Sequence, residues 1–357
     1  MSLASHTTPL LSRIISSSVA AANQAGIIIR DIMKKGELGI VQKESARDLQ
    51  TEADRAAQRC IITSLNKHFP KMTIIGEEGE VESSLASGQV FDTSTHTPIN
   101  VTCPPTLTSL SEEEVCMLST HTPTDTSTHT PTDTPTDTPT DTPINVTCPS
   151  TLTSLSEEEV VVWVDPLDGT AEYTQGLLDH VTVLIGIASG GKAIGGVIHQ
   201  PYYNYQNPGS ALGRTVWGVV GGEVGGMAMV KPPPGKLIVT TTRSHSSSTV
   251  NDAITSVSPT EVLRVGGAGH KVMLLLEGRA HVYIFASPGC KKWDTCAPQA
   301  ILEAAGGVLT DIKGIPIPYH ATAPHRNSTG VLATAKGQDH GTFVDKIPSH
   351  VKDNLKA

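Results

Sequence analysis

No cluster of lysine and arginine occurs in the 357 residues, and the formal net charge is −9. A nucleic-acid polymer is held by concentrated positive charge that displaces counterions, so such a partner is not expected. No apolar run approaches the roughly 18 residues that cross a bilayer, which argues against a membrane span. The six cysteines (Cys60, Cys103, Cys116, Cys148, Cys290 and Cys296) include no pair at the short spacing of a zinc site. In a chain of this length they do not resemble a disulfide framework either, so reduced thiols and a cytoplasmic location are expected. The length allows one or two domains around a large buried interior.

The first thirty residues contain no acid, are rich in serine and carry Arg13 and Arg30, a weakly transit-like composition. An ordinary helix accounts for them better. Leu11, Ile14, Ile15, Val19, Ala22, Ala25, Ile28, Ile29 and Ile32 fall at helical spacing and form one apolar face. A second amphipathic stretch, Thr51 to Phe69, leads to a short strand at Met72 to Ile75, which runs into Gly76-Glu77-Glu78-Gly79.

From about 81 to 159 the composition turns to Thr, Pro, Ser and Asp, and the unit Thr-Asp-Thr-Pro occurs three times in succession between Thr132 and Pro143. Such a segment has little apolar surface to offset its ordering entropy, and a disordered insertion is expected. Thr97 to Val115 and Thr142 to Val160 are identical at 18 of 19 positions, 45 residues apart, differing only at Pro105 and Ser150. Two nearly polar copies indicate a tandem duplication, not a solenoid. Apolar patterning returns at Val160 to Val164 and is followed by two strands, Val181 to Ala188 and Lys192 to Ile198, with a hairpin turn at Ser189-Gly190-Gly191. From Lys236, strands (237–242, 262–265, 280–285) alternate with helices, which predicts a largely parallel sheet covered by helices. The expected division is an α+β half over 1–208 and an α/β half over 209–357.

Chemistry concentrates in Val164-Asp165-Pro166-Leu167-Asp168-Gly169-Thr170, directly after a buried strand. Two acids near one strand end supply hard oxygen ligands suited to Mg²⁺. Gly169 and Thr170 open a helix whose free N–H groups attract phosphate. Glu77-Glu78 also follows an apolar strand, and Asp294 in Trp293-Asp294-Thr295-Cys296-Ala297 stands at a helix start. Singly, these read as a solvated loop and a helix cap; their joint occurrence, with Asp54 on an earlier helix, points to a metal-assisted site.

In that order the chain resembles the magnesium-dependent, lithium-sensitive phosphomonoesterases of the inositol monophosphatase type. These carry an early Asp, then Glu-Glu, then Asp-Pro-Ile/Leu-Asp-Gly/Ser-Thr, then Trp-Asp. Within that family the bisphosphate nucleotidase branch is the nearest in Asp48 to Thr51, Gln200 to Gln206, Thr240 to Ser246, Arg264 to Gly269 and Ser287 to Asp294. The resemblance implies a layered α-β-α-β-α sandwich. It implies that Glu77, Asp165, Asp168, Asp294 and the Leu167 carbonyl hold two or three Mg²⁺ ions, and that Asp54 and Thr170 orient and deprotonate the attacking water. Thr242, His245, Gly267 and Lys271 match positions that hold the nucleotide. One departure is His270, where related chains carry Asn or another polar residue.

The implied reaction removes the 3'-phosphate of adenosine 3',5'-bisphosphate to give AMP, with inositol 1,4-bisphosphate as a second substrate, in a monomer that meets no membrane. One alternative is an inositol phosphatase of the same family, which the stretch from Thr242 to His245 argues against. The other is a non-catalytic, glycosylated interaction protein, suggested by the sequons at Asn100, Asn145 and Asn327 and opposed by the missing signal peptide.

Overall fold

The computed structural model describes residues 8–43, 49–79 and 146–356. Helix α1 (Leu10–Lys35) follows the expected apolar face, burying Leu11, Ile14, Ile15, Ala22 and Ile29 and ending on Gly36 in the left-handed region. After the short pair β1 (Val41–Gln42) and β2 (Leu49–Gln50), helix α2 (Glu52–His68) starts with a capping box: Thr51 accepts from Ala53 N–H, and Asp54 accepts from Thr51 N–H at 2.7 Å. The two helices pack on each other and on one face of a six-stranded sheet.

That sheet runs in chain order: β3 (Thr73–Gly76), β4 (Val160–Asp168), β5 (Thr182–Ser189), β6 (Lys192–Gln200), β7 (Arg214–Val219) and β8 (Val224–Gly225). Only β3 and β4 are parallel. The expected hairpin joins β5 to β6 through Gly190 and Gly191, both at positive φ. Strands β7 and β8, which follow residue 208, complete this sheet. Helix α3 (Thr170–Thr174) is a short turn after β4.

The second sheet is mixed, not largely parallel as the sequence suggested. Its order is β10 (Glu261–Val265), β9 (Ile238–Thr242), β11 (Val282–Phe285), β15 (Val331–Thr334), β13 (Val308–Thr310), with β12 (Cys290–Lys291) and β14 (Arg326–Asn327) paired separately. β9, β10 and β11 are parallel, with α4 (Ser248–Ser256) and α5 (Ala268–Leu276) as crossovers, whereas β15 is antiparallel to both β11 and β13. No helix lies between β13 and β15, so parallel geometry is not imposed on them.

Helices α5 and α6 (Cys296–Ala304) fill the space between the sheets around Trp163, Leu184, Met273, Trp293 and Ile301. α4, α7 (His340–Lys346) and α8 (Ser349–Asn354) cover the outer face over Val239, Ile284 and Leu332, with Phe343 of α7 packed among them. The layers are α-β-α-β-α, as expected. The seating of α6 is close because strand glycines lie beneath it: a Cβ at Gly186 would fall 2.5 Å from Cys296 Cβ, and one at Gly196 would fall 2.6 Å from the Ala297 carbonyl oxygen. That depth fixes where Asp294, two residues before the helix, comes to rest.

A second expectation is corrected. Residues 146–159, assigned to the disordered insertion, are packed on the body. Val146 is buried, and its carbonyl accepts from Ser12 Oγ at 3.0 Å. Thr147 N–H donates to Glu223 at 2.8 Å, and Ser156 and Glu159 form a capping box around a single 3₁₀ turn. Local caps and a few anchors satisfy the backbone that composition alone left without partners. Residues 80–145, including the first copy of the duplication, lie outside the described residues.

Candidate active site

Side chains alternate faces along a strand, so acids three residues apart should diverge. β4 avoids this with a bulge: Asp165 pairs with Leu184 and Asp168 with Thr182, three steps on one strand against two on the other. The extra residue returns both carboxylates to one face, and Pro166 sits there without an N–H to leave unpaired. Asp165 Oδ1 accepts from Leu167 N–H at 3.1 Å. Glu77 arrives through the parallel pairing, its N–H donating to the Val164 carbonyl at 3.0 Å. Asp294 comes from the approach to α6, with Oδ2 accepting from Lys291 N–H at 2.6 Å.

These acids disturb one another. Asp165 is pushed well above the usual carboxylate range by burial and then by Glu77, Asp168 and Asp294. Asp294 is raised by burial and by Asp168, and Glu77 by burial, against the opposing pull of Lys43. The Lys43 ammonium lies 3.0 Å from Glu77 and 2.7 Å from Glu78. Asp168 is held by the Ala268 and Gly269 N–H groups, each at 2.8 Å, and by Thr182 Oγ1 at 2.7 Å. Among the described residues, no three acidic, histidine or cysteine side chains stand in a ready-made metal cage. The chemistry of the set nevertheless fits a hard divalent cation: converging carboxylate oxygens whose mutual repulsion such an ion would relieve.

Beside this group, Thr170 Oγ1 lies 3.0 Å from Asp54 Oδ1 and 3.1 Å from the Leu167 carbonyl. Burial pushes the Asp54 carboxyl up to about 6; hydrogen bonds from Thr51 and Thr170 work against the shift, and the charge of Glu78 adds to it. Asp54 is therefore both a helix cap and the partner of the residue that opens α3.

The expected nucleotide positions sit where β9 ends and α5 begins. Thr242 Oγ1 accepts from the Ser244 and His245 N–H groups at 3.3 and 3.1 Å, a local turn that sets His245 edge-on to Phe285. Gly267 has φ +68°, and a Cβ there would lie 2.4 Å from the His180 carbonyl oxygen, so this turn requires glycine. Lys271 is buried, and its ammonium donates to the Gly267 carbonyl at 2.9 Å. His270 turns inward and packs on His180, ring centroids 4.8 Å apart.

The structure thus gathers Asp54, Thr170, Glu77, Asp165 and Asp294 around the end of β4. Asp168 links that group to the start of α5 and hence to Gly267 and Lys271. Sequence reading missed Lys43, Thr182, Glu172 and Arg243. These are single residues whose partners come from distant segments, so no local pattern marks them.

A sequence profile of the inositol monophosphatase family matches residues 10–103 and 117–351. The chain belongs to the inositol monophosphatase family. Among curated relatives it is 46% identical to the human protein named 3'(2'),5'-bisphosphate nucleotidase 1, covering 99% of each chain. It is 33% identical to the Dictyostelium discoideum protein of that name, over 93% of this chain and 95% of the relative. Among solved structures, the extragenic suppressor protein suhB of Bartonella henselae superposes with TM-score 0.59 at 17% identity, over 94% of this chain and 99% of that one. This last likeness concerns the family fold alone.

The glycosylated alternative loses a sequon. Asn327 is buried, with its amide nitrogen donating to the Gly330 carbonyl at 2.9 Å, and the fold leaves no room for a glycan on that nitrogen. Asn100 and Asn145 lie outside the described residues. Among the described residues, no helix is long and apolar enough to cross a membrane.

Proposed function

We propose that this chain is a phosphomonoesterase that removes the 3'-phosphate from adenosine 3',5'-bisphosphate, releasing AMP and inorganic phosphate. The names of its full-length relatives support the substrate. The observation that carries the chemistry is the hydrogen-bonded pair of Asp54 and Thr170 beside the converging acids. Glu77, Asp165, the Leu167 carbonyl, Asp168 and Asp294 would hold two or three Mg²⁺ ions, whose charge acidifies water and offsets the negative charge that builds on the phosphoryl oxygens.

The remaining steps belong to the chain. Thr170 orients the attacking water, and Asp54 accepts its proton, its raised carboxyl being well matched to a general base near neutral pH. The water oxygen bonds to phosphorus as the bond from phosphorus to the 3'-oxygen breaks, and that oxygen leaves as the hydroxyl of AMP after gaining a proton. Thr242, His245, Gly267 and Lys271 hold the nucleotide. On this reading the half over 1–208 supplies the base and three acids, and the half over 209–357 supplies Asp294 and the nucleotide contacts. A cytoplasmic monomer suffices for it.

Phosphate release from adenosine 3',5'-bisphosphate, inositol 1,4-bisphosphate, inositol 1-phosphate and AMP, with Mg²⁺ and with or without Li⁺, tests the proposal. The expected result is preference for the nucleotide bisphosphate and inhibition by Li⁺. A preference for inositol 1-phosphate, or a rate indifferent to Li⁺, would overturn it.

A further inference from the structure

A bisphosphate substrate carries a second phosphate that does not react. Resting on the nucleotidase reading, we propose that Arg243 anchors this second phosphate and so sets the preference for bisphosphates over monophosphates. Arg243 is the first residue beyond β9, whose five residues are all buried, and its N–H continues the ladder by donating to the Val265 carbonyl at 3.1 Å. It therefore emerges at the mouth of the site, exposed, between Thr242 and His245.

Its side chain is held from beneath. Nε lies 3.6 Å from Glu172 Oε1, and a terminal guanidinium nitrogen donates to the Gln175 side chain. Glu172 is buried, and its Oε1 has no hydrogen-bond partner. This carboxylate fills the place of a missing side chain at Gly266, where a Cβ would come within 2.0 Å of Glu172 Cδ. Its charge is felt by Arg243, Lys271 and Asp168 together. Glu172 thus fastens Arg243 to the α3 turn that Thr170 opens, on the same side as Asp168.

Two other cations near the site are committed. Lys43 is paired with Glu77 and Glu78, and the buried Lys271 ammonium donates to the Gly267 carbonyl. Arg243 has five N–H donors in a planar fork, which Glu172 and Gln175 do not exhaust, and it reaches solvent. A phosphate matches that fork in charge and geometry.

Steady-state kinetics of the parent, Arg243→Met and Arg243→Lys on adenosine 3',5'-bisphosphate and adenosine 3'-monophosphate test the assignment. The monophosphate has the reacting phosphate and lacks the second one. Arg243→Met should raise KM for the bisphosphate roughly 10- to 100-fold, the loss expected for one charge-assisted contact. Its kcat should change little, and the monophosphate kinetics should stay within about twofold. Arg243→Lys should recover part of the loss. If the monophosphate turns over too slowly, its inhibition constant carries the same comparison. A parent active on the bisphosphate whose preference survives Arg243→Met, or a variant that loses both nucleotides equally, overturns this inference alone. A parent inactive on both nucleotides overturns the nucleotidase reading and this inference with it.

Discussion

The acids of the site and its nucleotide side are built on different principles. Glu77, Asp165, Asp168 and Asp294 come together through a bulge, a parallel strand pair and a closely seated helix, and the result is a group of like charges in which burial, and then the neighbouring acids, hold Glu77, Asp165 and Asp294 above the usual carboxylate range. The turn of Thr242 to His245 and the glycine turn before α5 are satisfied from within, by backbone N–H groups and a buried lysine. The first region holds repulsion that a bound cation would remove. The second is preorganised and has little to gain from an ion. Substitutions among the acids should therefore harm the chemistry and spare the fold, whereas those on the nucleotide side should act on binding.

The largest effect is expected for Asp294→Asn, since an amide is a poor ligand for a hard divalent cation. Phosphate release should fall by more than about 100-fold. The melting temperature of the metal-free protein should hold or rise, because one of four repelling acids is neutralised. Activity within a few-fold of the parent, or a marked loss of stability, would erase the contrast between the regions.

Thr170→Val comes next. It removes a hydrogen bond to Asp54 that favours the ionised carboxylate. Activity should fall roughly 10²-fold, within the range for a disturbed general base. The sign of the accompanying pH effect is fixed: without that donor the Asp54 carboxyl rises further from about 6, so the acidic limb of the pH–rate profile moves to higher pH. A limb that stays in place or moves down would remove Asp54 from the reaction.

Lys271→Ala probes the other region. KM for the nucleotide bisphosphate should rise about tenfold while kcat changes a few-fold at most, the pattern of lost uniform binding. Collapse of kcat at constant KM would place Lys271 with the acids instead.

The smallest effect is expected from deleting Thr97 to Asp141, one 45-residue period, which joins His96 to Thr142. The deleted stretch contains none of the site residues, and the partners of residues 146–159 among the described residues, such as Ser12, Lys71 and Glu223, lie outside it. Stability should change by less than about 1 kcal/mol, since loop closure entropy grows only with the logarithm of length. The rate constant kcat should stay within about threefold. A loss beyond about tenfold, roughly 1.4 kcal/mol of barrier, would bring the duplicated segment into the site.

What the sequence disclosed depended on how local the cause was. The apolar face of α1, the β5–β6 hairpin and the helix starts at Thr170 and after Asp294 rest on short-range patterns, and each was found within a few residues. That Asp165 and Asp168 share a face was suggested by the motif, but its cause, a register shift against Leu184 and Thr182, exists only in the paired strands. Lys43 had no signature at all, and Arg243 lay in a matched stretch without a role of its own, because a single cation acquires meaning only from the carboxylates that distant segments bring to it. Residues 146–159 were misjudged by composition, although Ser156-x-x-Glu159 is a capping box visible in the sequence.

The parallel pairing of Gly76 with Val164 has a further consequence, for the order in which the chain folds. β4 can find β5, and β5 can find β6, through short connections, whereas β3 must wait for a long stretch of chain to close before it joins β4. Contacts so far apart in sequence are reached late, because the closure entropy must be met before the pairing returns anything. Glu77, carried at the end of β3, is therefore delivered later than Asp165 and Asp168, which share one strand, and Asp294, which lies still farther along the chain from that strand, has a longer closure again. The duplicated segment lengthens the closure that brings Glu77 to β4 and adds little to the energetics of the finished fold: a repeat that is nearly silent at equilibrium bears on how soon this strand pair can form.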